Sequence, residues 1–165
     1  MITIQVDTRE KARAIREIIK TFDESGVKHY VSKLYVGDYM NLDNPRVIID
    51  RKQNLLELCG NVCQDHDRFR NELVRAQENG IQLIILVEHG DPIYSLEDVR
   101  FWRNPRSTRR IRQDGRWETV KTKAMSGGVL YKVLTTMARK YGVRFEFCDK
   151  EDTGKRILEL LDANK

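Results

Sequence analysis

Apolar side chains recur along this chain in two rhythms. Short β-branched runs predict strands, and apolar residues returning every three to four positions predict helices. The run at 2–6, Ile-Thr-Ile-Gln-Val, reads as a strand ended by Asp7 and Thr8. Ala12, Ala14, Ile15, Ile18 and Ile19 fall at helical spacing over 10–20, and Gly26 closes that segment. Residues 27–36 predict a second strand, Gly37 a turn, and Val-Ile-Ile-Asp after Pro45 a third strand. Two helices are expected at 54–59 and 65–77, parted by Gly60-Asn61, with Phe69, Leu73 and Ala76 on one face of the second. Residues 81–87 form a strongly apolar strand. A helix at 129–141 turns Leu130, Val133, Leu134 and Met137 inward, a strand follows at 143–148, and a helix at 152–161 ends the pattern. Strands alternating with helices imply an α/β fold, a mixed or parallel sheet covered on both faces.

Composition narrows the class. A chain of 165 residues fits one domain over 1–165, with a core large enough to stand without disulfides or a structural metal. No apolar run approaches the roughly 20 residues of a membrane-spanning helix, so no membrane role is expected. The N-terminal stretch lacks the basic start of a secretory signal. Three cysteines, an odd number, fit a reducing, cytoplasmic setting better than a disulfide framework.

Charge is unevenly spread. Residues 100–124 hold nine basic groups against two acids, while the rest of the chain holds 21 against 23. A basic cluster in an otherwise slightly acidic chain is the footprint of a polyanion binder. Asn104-Pro105 and Asp114-Gly115 are turn signals, so this stretch reads as a basic, loop-rich insertion.

Candidate chemistry gathers at strand ends. Asp50 closes a strand and Lys52 lies two residues on, so both point to one face if the strand continues, with Arg51 opposite. Asp38, just after Gly37, can return beside Asp50. Two carboxylates and an ammonium on one sheet edge suit metal-dependent phosphodiester hydrolysis. Mg²⁺ or Mn²⁺ takes oxygen ligands from one or two carboxylates, with water and phosphate completing the shell. A nearby lysine orients the attacking water or stabilises charge in the transition state.

Val-Asp-Thr-Arg-Glu-Lys (6–11), Gly-Asp-Tyr (37–39) and Ile-Asp-Arg-Lys (49–52) occur in the order seen in the XPF family of structure-specific endonucleases. The helix around Arg68, the strand at 81–87 and the terminal strand and helix resemble that family too. The resemblance implies a restriction-endonuclease-like mixed sheet flanked by helices. It makes Asp38 and Asp50 the metal ligands, Lys52 the catalytic lysine, and Asp7 and Glu10 further acids near the metal. Arg51 becomes the motif arginine that shapes the site or touches phosphate. Two positions depart from the pattern: Asp50 stands for the usual glutamate, and Leu56 for the motif's last aspartate. Glu57 beside it is expected to point elsewhere.

The implied activity is Mg²⁺- or Mn²⁺-dependent cleavage of branched, flapped or bubble DNA, in repair, recombination or phage DNA processing. The alternative is a nuclease-inactive DNA-binding or assembly subunit of the same fold. Relatives carry a helix–hairpin–helix module, which this sequence does not show, so a standalone member is expected and the insertion becomes its DNA grip. Arg9, Arg68, Arg103, Arg106, Arg109, Arg110 and Arg112 are the expected DNA contacts. Phe101, Trp102 and Trp117 either stack on unpaired bases or anchor the insertion. Likeness alone also implies a homodimer. A zinc site at Cys59, Cys63 and His66 is disfavoured because Gly60 interrupts their helix and no fourth ligand is near.

Overall fold

The structure is a computed structural model and describes residues 2–162. The expectation of one domain over 1–165 reaches, at Met1 and 163–165, outside the described residues.

Six strands form one mixed sheet: β1 (Thr3–Val6), β2 (Lys28–Val31), β3 (Tyr39–Asn41), β4 (Asn44–Lys52), β5 (Gln82–Val87) and β8 (Arg144–Phe147), in the order β2-β1-β3-β4-β5-β8. β4, β5 and β8 run parallel, as do β1 and β2, while β3 pairs antiparallel with both β1 and β4. Helices cover both faces. On one, Val36, Ile48, Leu83, Ile85 and Val87 pack with α2 (Leu55–Cys63), α3 (His66–Glu78) and α4 (Gly127–Tyr141). On the other, Ile4, Val6, Ile49, Ile84 and Leu86 pack with α1 (Arg16–Glu24) and α5 (Thr153–Asp162). β5 is buried at Leu83–Val87 because alternate side chains feed both cores, which is why its sequence shows an apolar run rather than an alternation.

Several elements differ from the sequence reading. The first helix begins at Arg16, not at 10, and Ala12 and Ala14 are exposed. Residues 7–15 instead form turns, which free Arg9 and Glu10 for longer-range partners. Only 28–31 of the 27–36 stretch is strand, and the short β3 needs its neighbours on both sides to exist. α2 runs straight through Gly60, where open space surrounds the missing Cβ.

The basic insertion is not loop-rich. Its central part is a two-stranded antiparallel hairpin, β6 (Thr108–Gln113) and β7 (Arg116–Lys121), separate from the main sheet. Asp114 and Gly115 both have positive φ, as the tight turn joining such strands requires. Buried Trp102 anchors its root, whereas Phe101 and Trp117 are exposed. Asn104, also buried, accepts from the Arg106 N–H and donates to the Met125 carbonyl, closing the root. Ser126 caps α4 by accepting from the Val129 N–H.

Candidate active site

β4 extends through Lys52, so Asp50 and Lys52 do share a face, and Lys52 Nζ lies 3.3 Å from Asp50 Oδ2. Asp38 arrives from the preceding loop. Its N–H donates to the Ile49 carbonyl at 2.8 Å, and its carbonyl accepts from the Asp7 N–H at 2.8 Å. Gly37 makes this approach possible: its φ is +68°, and a Cβ there would sit 2.6 Å from Ile48 Cγ2 and 3.0 Å from the Ile49 oxygen. The Arg51 N–H then donates to Asp38 Oδ2 at 2.8 Å.

These groups line a cavity of about 360 Å³. Its walls include Asp38, Asp50, Lys52, Glu57 and Glu72, and its rim carries the exposed Arg9 and Arg68. Glu57 therefore faces the site, contrary to expectation, and also accepts from the Gln53 N–H at 2.6 Å. Leu56 packs against the core instead.

Electrostatics follow from crowding. Burial, then the neighbouring Asp50 carboxylate, raises the Asp38 carboxyl well above its ordinary range. Glu72, from α3, is raised likewise by burial and then by Asp50, and it accepts from the Gly37 N–H at 3.2 Å. Burial alone would lower Lys52, but Asp50, Glu72, Glu57 and Asp38 outweigh it, so the ammonium stays charged. The Phe69 ring, 5.6 Å from Nζ, supports the same charge.

Arg51 does something different from its neighbours. It leaves the strand opposite to Asp50 and Lys52 but, with Glu10, still borders the cavity: Nε and Nη2 donate to Glu10 at 2.7 and 2.9 Å, and Nη1 donates to Glu88 at 2.9 Å. These ion pairs fix the strand end that carries Asp50 and Lys52. Glu10, besides pairing with Arg51, accepts from the Tyr39 hydroxyl at 2.8 Å, lines the cavity with Asp38 and adds to the charge that raises the Asp38 carboxyl. Asp7 is fully buried and committed: Oδ1 accepts from the Leu34 N–H, and Oδ2 from the backbone and side chain of Arg9. Burial would raise its carboxyl, but these bonds outweigh it and hold it low. Asp7 thus pins the loop that carries Arg9 rather than lining the cavity.

Asp50 Oδ2 bears on metal binding. It is buried and receives no hydrogen bond, its contact with Lys52 being electrostatic only. Two adjacent carboxylates with one orphaned oxygen fit a hard divalent cation that keeps several waters. Among the described residues no group of three or more His, Cys, Asp or Glu side chains is arranged to hold a metal. Cys59 Sγ and Cys63 Sγ lie 4.0 Å apart, one turn along the unbroken α2, and burial with the second thiol pushes Cys59 up to about 11.

Glu72 and Glu88 were invisible to the sequence reading of the site. Glu72 lies in a helix read only for its apolar face, four positions beyond Arg68, where one turn places both over the same cavity. Glu88 follows the apolar strand by one residue, and its pairing with Arg51 needs β4 and β5 in register.

Comparison with known proteins bears on the fold that carries these residues. Two solved structures share the fold: XPF from Aeropyrum pernix (TM-score 0.64, 22% identity, covering 98% of this chain and 64% of that one), and XPF from Aeropyrum pernix in complex with DNA (TM-score 0.63, 21% identity, 99% and 64%). The chain thus spans about 64% of the length of the structures it matches. Its mixed sheet flanked by helices is the restriction-endonuclease-like fold. A search of curated proteins finds no match. The ERCC4 domain model matches residues 6–161, nearly the whole chain, and the protein belongs to that family of nuclease domains.

Proposed function

We propose that this protein is a Mg²⁺- or Mn²⁺-dependent DNA endonuclease that cleaves branched, flapped or bubble DNA. One observation carries the reading: Asp38, Asp50 and Lys52 meet in a single cavity, with a buried Asp50 oxygen that accepts no hydrogen bond and has the Lys52 charge beside it. Asp38 and Asp50 would hold the ion, which when bound neutralises phosphate charge and lowers the pKa of a coordinated water. The Lys52 ammonium, 3.3 Å from Asp50, donates hydrogen bonds to the attacking water or to a phosphate oxygen. Glu72 holds the Gly37 turn and adds negative charge beside Lys52. Arg51, fixed by Glu10 and Glu88, donates its backbone N–H to Asp38 and so orients that carboxylate.

DNA reaches the cavity over basic ground. Arg9 and Arg68 stand at the rim, and Arg103, Arg106, Arg109, Arg110 and Arg112 are all exposed along the insertion, available to phosphates. The solved XPF–DNA complex supports DNA as the ligand. The complete acid–acid–lysine set argues against the inactive-subunit alternative. Incubation with labelled forks, flaps, bubbles and plain duplex, with and without Mn²⁺, tests the proposal. Metal-dependent cuts near branch points are expected, and no cleavage of any substrate would reject it.

A further inference from the structure

The β6–β7 hairpin has two unlike faces. Directly paired residues of an antiparallel ladder point to the same side. The register therefore sorts Thr108, Arg110, Arg112, Trp117, Thr119 and Lys121 onto one face, and Arg109, Ile111, Gln113, Arg116, Glu118 and Val120 onto the other. The first face carries three cations, two hydroxyls and an indole, with no acid, and every one of its six side chains is exposed. The second holds the hairpin's two half-buried aliphatics, Ile111 and Val120, and the one acid of its two strands, Glu118.

Trp117 is 60% exposed, with the Arg110 guanidinium 5.6 Å from its ring centroid. A large aromatic left in water among arginines is matched by a ligand that offers both π-faces and phosphates. Duplex DNA buries the faces of its bases in the stack, whereas an unpaired strand exposes them. The root of the hairpin is held against α2, the helix that also contributes to the cavity. The root residue Asn104 lies 3.9 Å from Cys59 Sγ on α2, and Asn61 of the same helix lines the cavity.

We propose that the Arg110–Arg112–Trp117–Lys121 face of the hairpin binds the unpaired strand of a DNA junction, with Trp117 stacking on a base and the cations on the flanking phosphates. This rests on the endonuclease reading above and names which part of the substrate the insertion holds.

The test is fluorescence anisotropy in EDTA, where binding is read without cleavage, using a short labelled oligothymidine and a blunt duplex. Wild-type protein is expected to prefer oligothymidine. Trp117→Ala should bind it about tenfold more weakly, while Trp117→Phe keeps most of the affinity. Arg110→Ala/Arg112→Ala should lose about tenfold or more, and Arg109→Ala/Arg116→Ala, which removes equal charge from the opposite face, only about two- to threefold. Because Trp102 is buried, quenching of indole emission by oligothymidine belongs to Trp117 and should vanish in Trp117→Phe. Equal losses in the two double variants, unchanged binding by Trp117→Ala, or no wild-type affinity for oligothymidine would overturn the proposal. If the binding results hold but no DNA is ever cut, the nuclease reading falls and this face stands. If forks are cut normally while the variants bind like wild type, the face falls alone.

Discussion

Lys52 Nζ sits 3.3 Å from Asp50 Oδ2 because the two residues are alternate positions of one strand, whose pleat sends both into the same cavity. Arg51 between them is thrown to the other side and buried between Glu10 and Glu88. One tripeptide thus supplies a reactive pair to one face and a structural clamp to the other.

Asp50→Asn should reduce cleavage to background while leaving DNA affinity intact. It should also raise Tm by about 2–4 °C, the equivalent of about 1 kcal/mol for a domain of this size. The change removes one of several crowded negative charges, and Lys52 keeps Asp38, Glu57 and Glu72 around it. Differential scanning calorimetry beside a fork-cleavage assay checks both halves. Wild-type-like cutting would refute the metal assignment, and a markedly lower Tm would refute the electrostatic account.

Arg51→Met should destabilise the fold by about 3–5 kcal/mol, since Glu10 and Glu88 would be left buried without their partner. Arg51→Lys should recover only part, because an ammonium cannot bridge both carboxylates in the fork geometry. Urea denaturation measures this, and a loss under about 1 kcal/mol would show that the clamp contributes little.

Glu72→Gln keeps an oxygen to accept from the Gly37 N–H but deletes a negative charge beside Asp50 and Lys52. We expect normal folding and a metal concentration for half-maximal cleavage raised about 10- to 100-fold. Glu72→Ala should additionally lose stability, as the turn carrying Asp38 loses an anchor. Identical metal titrations for wild type and Glu72→Gln would remove Glu72 from the site.

His89 gives a pH dependence separate from the cavity. Its Nδ1 accepts from the Leu55 N–H at 3.3 Å, and burial lowers its pKa below the ordinary 6.5. The folded protein therefore favours the neutral ring. This contribution is complete above pH 6.5 and is lost as pH falls through that value toward the lower folded one. His89→Asn, whose amide oxygen can accept the same bond without titrating, should lose less stability than wild type between pH 7.5 and pH 5. Parallel denaturation curves at both pH values would contradict it.

Sequence periodicity located β5, α3, α4 and α5 to within a few residues, because each is long or strongly apolar and its pattern survives without neighbours. It missed β3, three residues held only by β1 and β4, and it placed the first helix too early because Ala12 and Ala14 mimic a helical face. The arginine-rich stretch forms a hairpin where a loop-rich insertion is expected, and its Asp114-Gly115 turn and the alternation of Ile111 and Val120 with polar residues are the signals of it.

By itself the sequence determined which groups are available and, through strand alternation, that Asp50 and Lys52 share a face while Arg51 does not. That relation is local and needs only a pleated backbone. Tertiary structure alone decided that Asp7 pins a loop, that Glu10 and Glu88 close on Arg51, and that Glu72 and Glu57 join the cavity. Those relations depend on register between strands and on the seating of helices over the sheet, set by packing among residues far apart in the chain.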